Sequence, residues 1–155
     1  MTGRSGLPSV ASGGSGRGFV LIVDDECILT IELAEMLDGA GIASRCVGSA
    51  QEALSLVGGE LEIVAIVTDM KMPDMNGLQL LRHLRDEGHR LPVIIMSGHV
   101  DLKERDLALE LGALCYLAKP CDICAIPQLL RRHVFGEGGY ATSGAGPGHE
   151  LPRSA

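Results

Sequence analysis

The chain has 155 residues, 46% of them hydrophobic, and a formal net charge of -7 from 13 basic and 20 acidic side chains. That length suits one domain with a sizeable core and leaves no room for a second of ordinary size. The charge is spread over the body without a Lys/Arg cluster, which argues against direct nucleic-acid binding, and no stretch reaches the ~18 apolar residues of a membrane span.

Residues 1–18 are rich in Gly and Ser and lack the charged start and apolar segment of a secretory leader, so a flexible tail and a cytoplasmic location are expected. The folded unit is expected over 19–135. Phe19-Val-Leu-Ile-Val23 reads as a strand buried on both faces, and Asp24-Asp25 follow it directly. Leu29, Leu33, Met36 and Leu37 then share one helical face, with Gly39 and Gly41 as stop signals. Residues 42–47 form a second strand in which Ser44 and Arg45 interrupt the apolar pattern, as suits a sheet edge.

Ser49 and Glu52 have capping-box spacing for a second helix, which Gly58-Gly59 closes. A third strand, 63–68, delivers Asp69, and a loop containing Pro73 and Gly77 leads to a helix marked by Leu78, Leu81 and Leu84. A fourth strand, 92–96, ends at Ser97-Gly98, and a helix over 101–111 stops at Gly112. The last strand, 113–118, leads to Lys119-Pro120 and a helix over 122–134. Pro127 inside that helix predicts either a late start, with the proline in the first turn, or a kink. Residues 136–155 are Gly- and Pro-rich and read as a second flexible tail.

Five alternating βα units predict an α/β fold with right-handed crossovers. In such a sheet ligands bind beyond the carboxyl ends of the strands. Asp24, Asp25, Asp69, Ser97 and Lys119 all fall at that edge. A carboxylate is a poor nucleophile toward a phosphoryl donor until charge repulsion is relieved, and Mg2+, an oxygen-preferring cation, relieves it. Asp24 and Asp25 can supply the cation pocket and Asp69 the acceptor, while Lys119 offers a positive charge and Ser97 a hydroxyl to phosphoryl oxygens. Each group taken singly reads as an ordinary turn, cap or surface residue; their convergence at one edge is what favours the joint reading.

Of the five cysteines, Cys27, Cys46, Cys115, Cys121 and Cys124, the last two form a C-x-x-C. No second ligand pair at metal spacing accompanies them, so reduced, incidental thiols are expected. His83, His89 and His133 lack metal-site spacing and are expected at the surface.

Leu21-Ile-Val-Asp24-Asp25-Glu26, Thr68-Asp69 through Gly77, Met96-Ser97-Gly98 and Lys119-Pro120 stand in the order and spacing of one family. Over 19–135 the chain resembles the receiver domain of two-component response regulators. The resemblance implies a flavodoxin-like (βα)5 three-layer sandwich with sheet order 2-1-3-4-5. It implies that a histidine kinase or histidine phosphotransfer protein donates a phosphoryl group to Asp69. Mg2+ would then be held by Asp25, Asp69 and the backbone carbonyl of Lys71, with Asp24 acting mainly through water. It further implies Ser97 as switch hydroxyl, Tyr116 as aromatic switch, a cis peptide at Lys119-Pro120, and Lys71 and His99 as positions that tune the lifetime of the phosphoryl group.

On this reading the chain is a switch that answers to a downstream protein target, with phosphorylation-dependent homodimerisation as a further option, and not an enzyme acting on other substrates. One alternative is a receiver excised from a hybrid histidine kinase or a longer regulator. Another is a Mg2+-dependent phosphohydrolase of the haloacid dehalogenase type, disfavoured because that class keeps its acids as Asp-x-Asp on the first strand, whereas here they lie on two strands. A pseudo-receiver that binds partners without phosphate is disfavoured by the complete acceptor set.

Overall fold

Strand-forming runs and helical segments alternate through the described residues, 18–59, 62–120 and 122–136, of the computed structural model. The elements are β1 (Phe19–Val23), α1 (Cys27–Gly39), β2 (Ser44–Val47), α2 (Ala50–Val57), β3 (Ile63–Asp69), α3 (Gly77–Asp86), β4 (Val93–Ser97), α4 (Leu102–Glu110), β5 (Cys115–Ala118) and α5 (Ile126–His133). All strand pairs are parallel, in the order β2-β1-β3-β4-β5. This is the flavodoxin-like doubly wound arrangement. The expected tails lie outside the described residues except for Gly18 and Gly136, and so does Cys121.

Side chains alternate across each strand, so the sheet separates two cores. Leu21, Val23, Ile66, Val93 and Ile95 face Ala50 and Ala53 of α2, Leu80, Leu81 and Leu84 of α3, and Ala108 of α4. Val20, Ile22, Ala65, Val67, Ile94 and Met96 face Leu33 and Leu37 of α1 and Ile126 and Leu130 of α5. Both faces of the central strands are thus dry, which is why β1, β3 and β4 are continuous apolar runs.

Edge strands β2 and β5 are half-buried throughout. Each is shorter than its apolar stretch predicts: Ile42 and Ala113 are buried, yet the strand pairing begins at Ser44 and Cys115. The helix ends follow side-chain chemistry. Ser49 Oγ accepts from Glu52 N at 3.2 Å, while the Glu52 carboxylate reaches back one residue further than expected, to Gly48 N at 3.0 Å. Asn76 and Gln79 form a full capping box at the start of α3, and Asp101 caps α4. The last helix starts late: a single 3-10 turn at Ile123–Ala125 precedes α5, with Pro127 in its first turn.

Candidate functional site

Three strands end in polar residues at one edge of the sheet. Asp24, immediately after β1, is 3% exposed, Asp69 at the end of β3 is 5% exposed, and Ser97 at the end of β4 is 1% exposed. Asp25 is exposed beside them. One carboxylate oxygen from each of Asp24, Asp25 and Asp69 lies within 4.8 Å of the others, a grouping able to hold a metal ion. Lys119, just past β5, reaches into this cluster with its Nζ 3.0 Å from Asp69 Oδ1, 3.8 Å from Asp24 Oδ2 and 3.9 Å from Glu26 Oε1. Its backbone N–H donates to the Ser97 carbonyl at 2.9 Å, and the Lys119-Pro120 peptide is cis, as expected.

The electrostatics of the pocket favour a cation. Asp24 Oδ1 accepts from Glu26 N at 2.8 Å, but Asp24 Oδ2 is buried without a hydrogen-bond partner. Burial pushes the Asp24 carboxyl up to about 6, with the Asp69 charge adding and the Glu26 amide and Lys119 subtracting. Burial raises Asp69 as well, against the pull of the Lys119 hydrogen bond and charge. Burial would lower Lys119, but Asp69, Asp24 and Glu26 carry it above its ordinary value. Two crowded carboxylates, one with an orphaned oxygen, fit a hard divalent ion in this pocket.

A pH dependence follows from Asp24. Its ordinary value of 3.8 holds in the unfolded chain, so between there and about 6 the folded state keeps a proton that the unfolded state has released. Stability therefore falls as pH rises through that window, by roughly 2 kcal/mol in the metal-free protein. Urea titrations at pH 4.5 and 7 will show a smaller drop for Asp24→Asn than for the wild type, and a divalent cation will restore wild-type stability at pH 7.

The loop after Asp69 is held against the core. Met72 and Met75 pack on the α2/α3 side, and Asp74 Oδ2 accepts from Gln51 N at 3.3 Å. Gly77 closes the loop by donating to the Met70 carbonyl at 2.8 Å. A methyl group there would sit 2.7 Å from the Asp69 carbonyl oxygen and 3.2 Å from Met70 Cα, both backbone atoms. Gly77→Ala will therefore displace the backbone at Asp69 and cost about 1–3 kcal/mol, measured by urea unfolding.

The Ser97 and Tyr116 hydroxyls are both engaged outside the acidic cluster. The Ser97 hydroxyl donates to the His99 carbonyl at 2.8 Å and accepts from His99 N at 3.1 Å. Tyr116, half-buried on β5, donates through its hydroxyl to Glu104 Oε1 at 3.2 Å. Lys71 and His99 are exposed on the loops beyond β3 and β4. The structure therefore gathers Asp24, Asp25, Asp69 and Lys119, with Ser97 joined to them through the Lys119 backbone, while Tyr116 stands opposite Ile95 on β5 and bonds to Glu104 instead. Sequence reading assigned no role to Glu26 or Glu104. Glu26 directly follows the acidic pair, a usable signal; Glu104 lies 12 residues from Tyr116 and has none beyond its helix-start position.

Residues 20–131 match the family described as the response regulator receiver domain. The chain is 36% identical over 118 residues to the DNA-binding transcriptional regulator NtrC of Salmonella typhimurium, covering 76% of this chain and 25% of that protein. It is 38% identical over 112 residues to the transcriptional regulatory protein FixJ of Azorhizobium caulinodans, covering 72% of this chain and 53% of that protein. The crystal structure of a response regulator receiver protein from Pseudomonas putida is similar with a TM-score of 0.71 at 29% identity, covering 77% of this chain and 99% of that one. The chain thus spans between a quarter and about half of these curated relatives.

Proposed function

Because the chain belongs to the response regulator receiver domain family of two-component signalling, we propose that its 19–135 unit accepts a phosphoryl group on Asp69 and uses it to switch a protein-binding surface. The observation that carries this reading is the 3.0 Å contact between Lys119 Nζ and Asp69 inside a cluster of three carboxylates. The donor is a histidine kinase or histidine phosphotransfer protein. An Asp69 carboxylate oxygen forms the new P–O bond while the P–N bond to the donor imidazole breaks.

Asp25, Asp69 and the Lys71 carbonyl would hold Mg2+, with Asp24 acting mainly through water, and the bound ion neutralises charge between the acceptor and the incoming phosphoryl oxygens. Lys119 moves its hydrogen bond from Asp69 to a phosphoryl oxygen, and catalysis is mostly positioning and charge stabilisation. Ser97 leaves the His99 carbonyl to donate to another phosphoryl oxygen, and Tyr116 turns into the space this opens. Lys71 and His99, at the mouth, set how readily water reaches the acyl phosphate.

The partners are the phosphoryl donor and a downstream protein, with homodimerisation after phosphorylation as a further outcome. Direct nucleic-acid contact is not assigned to the acidic receiver itself. NtrC and FixJ are named as transcriptional regulators over lengths this chain does not span. Those lengths favour one second reading, a receiver that works as part of a longer regulator or hybrid kinase. No helix among the described residues is long and apolar enough to cross a membrane, and we assign the protein to the cytoplasm.

The test is incubation with acetyl phosphate and Mg2+, read by intact mass. A phosphoryl increment on the wild type supports the reading; its absence overturns it. Lys119→Ala will keep part of the labelling but lose the conformational response to beryllofluoride, read by amide chemical shifts around Ser97 and Tyr116. A wild-type response in that variant would remove Lys119 from its role.

A further inference from the structure

The Tyr116 hydroxyl lies where the β4–α4 loop meets the first turn of α4. It donates to Glu104 Oε1 at 3.2 Å, and the Ser97 hydroxyl and the Asp101 backbone are the other hydrogen-bonding groups that bear on it. Its ring packs against the α2/α3 core, so the side chain is fixed at both ends. Glu104 is half-buried in the first turn of α4.

The two ends of α4 are held very differently. At the far end, Arg85 donates to the carbonyls of Leu111 at 2.9 Å and Gly112 at 3.1 Å, tying the helix terminus to α3. Leucines are exposed along the whole helix, Leu102 at 64% and Leu109 at 43%, but the end near the pocket has no counterpart to Arg85, and the helix's buried residue, Ala108, lies toward the other terminus. Few buried apolar contacts make a segment cheap to move. The Glu104–Tyr116 bond thus joins the loosely packed end of α4 to β5.

We propose that Glu104 is a latch, a positioning residue that holds Tyr116 in its resting orientation and so sets the threshold at which the domain responds to a phosphoryl group on Asp69. This rests on the acceptor reading above. A ligand that binds only the released conformer has its apparent affinity reduced by the fraction of molecules released, so opening the latch raises that affinity without touching the pocket. Tyr116 and Glu104 meet no carboxylate of the acidic cluster in any hydrogen bond or ion pair among the described residues.

Two measurements test it. The sequence contains two tyrosines and no tryptophan, so Tyr140→Phe leaves Tyr116 as the sole emitter. Phenol emission is quenched by a hydrogen bond to a carboxylate. In that background Glu104→Ala will brighten Tyr116 with no ligand present, and Glu104→Gln, which keeps a carbonyl acceptor, will fall between. Glu104→Ala will also raise the apparent affinity for beryllofluoride with Mg2+ about threefold to tenfold, the range of one net hydrogen bond. Asp106→Ala, which removes the same charge from an exposed position on α4, will do neither.

Unchanged emission overturns the latch. An affinity gain that persists in Tyr116→Phe, or that Asp106→Ala reproduces, also overturns it, because the effect would then be charge alone. Brightening without an affinity gain removes the regulatory role. A wild type that does not bind beryllofluoride overturns the acceptor reading and that role together, whereas unchanged emission in a wild type that binds it overturns the latch only.

Discussion

Asp69→Ala will show no phosphoryl increment with acetyl phosphate and Mg2+ under conditions that label the wild type, a complete loss of acceptance. Asp24 and Asp25 remain as carboxylates, but neither stands in the place of Asp69: the Lys119 ammonium lies 3.0 Å from Asp69 and 3.8 Å from Asp24. The new P–O bond needs an oxygen nucleophile beside that charge, and positioning of this kind is worth orders of magnitude in rate. The variant will still fold. Removing one of two buried acids relieves their mutual repulsion, and Lys119 keeps Asp24 and Glu26 as partners. Labelling of Asp69→Ala at the wild-type level would mean that another residue accepts the phosphoryl group.

Arg85→Ala will be the most destabilising single change outside the cores, costing about 2–4 kcal/mol in urea unfolding. The guanidinium donates to four backbone carbonyls: Leu111 at 2.9 Å, His89 at 3.0 Å, and Leu91 and Gly112 at 3.1 Å each. These belong to two separate turns, one after α3 and one after α4, and the planar fork reaches both at once. Arg85→Lys will recover less than half of the loss, since an ammonium carries three donors on one atom and cannot span the two turns. Gly112 fits beside the guanidinium because it lacks a Cβ, which would stand 3.3 Å from Nε, and because its φ of +92° suits glycine. If Arg85→Ala cost no more than an exposed substitution, the clamp would be incidental.

Strands β1, β3 and β4 were readable from the sequence because both their faces are buried, so every residue carries the apolar signal. The edge strands were overextended at Ile42 and Ala113 because hydrophobicity reports burial, and a residue can be buried before it joins a ladder. Pro127 announced the late start of α5 through its missing N–H, but nothing announced the 3-10 turn before it. The pocket was legible for a different reason: Asp24, Asp69, Ser97 and Lys119 each stand at or just past the carboxyl end of a strand, and a parallel sheet carries those ends to one edge. The partners of Arg85 and Tyr116 were not legible. An arginine in an amphipathic helix reads as a solvated charge, and the pairing of Tyr116 with Glu104 depends on how α4 lies across β5, which no local pattern encodes.

The sheet also acts as a partition. The helices on one side, α2, α3 and α4, share their apolar contacts with the loop behind Asp69 and with Tyr116, whereas α1 and α5 close a separate core against the other face. Neighbours in sequence such as Ile66 and Val67 belong to different compartments. A cavity opened on the α1/α5 side is therefore walled off from the core that holds Tyr116 by the sheet itself, and reaches it only through the strands the two cores share.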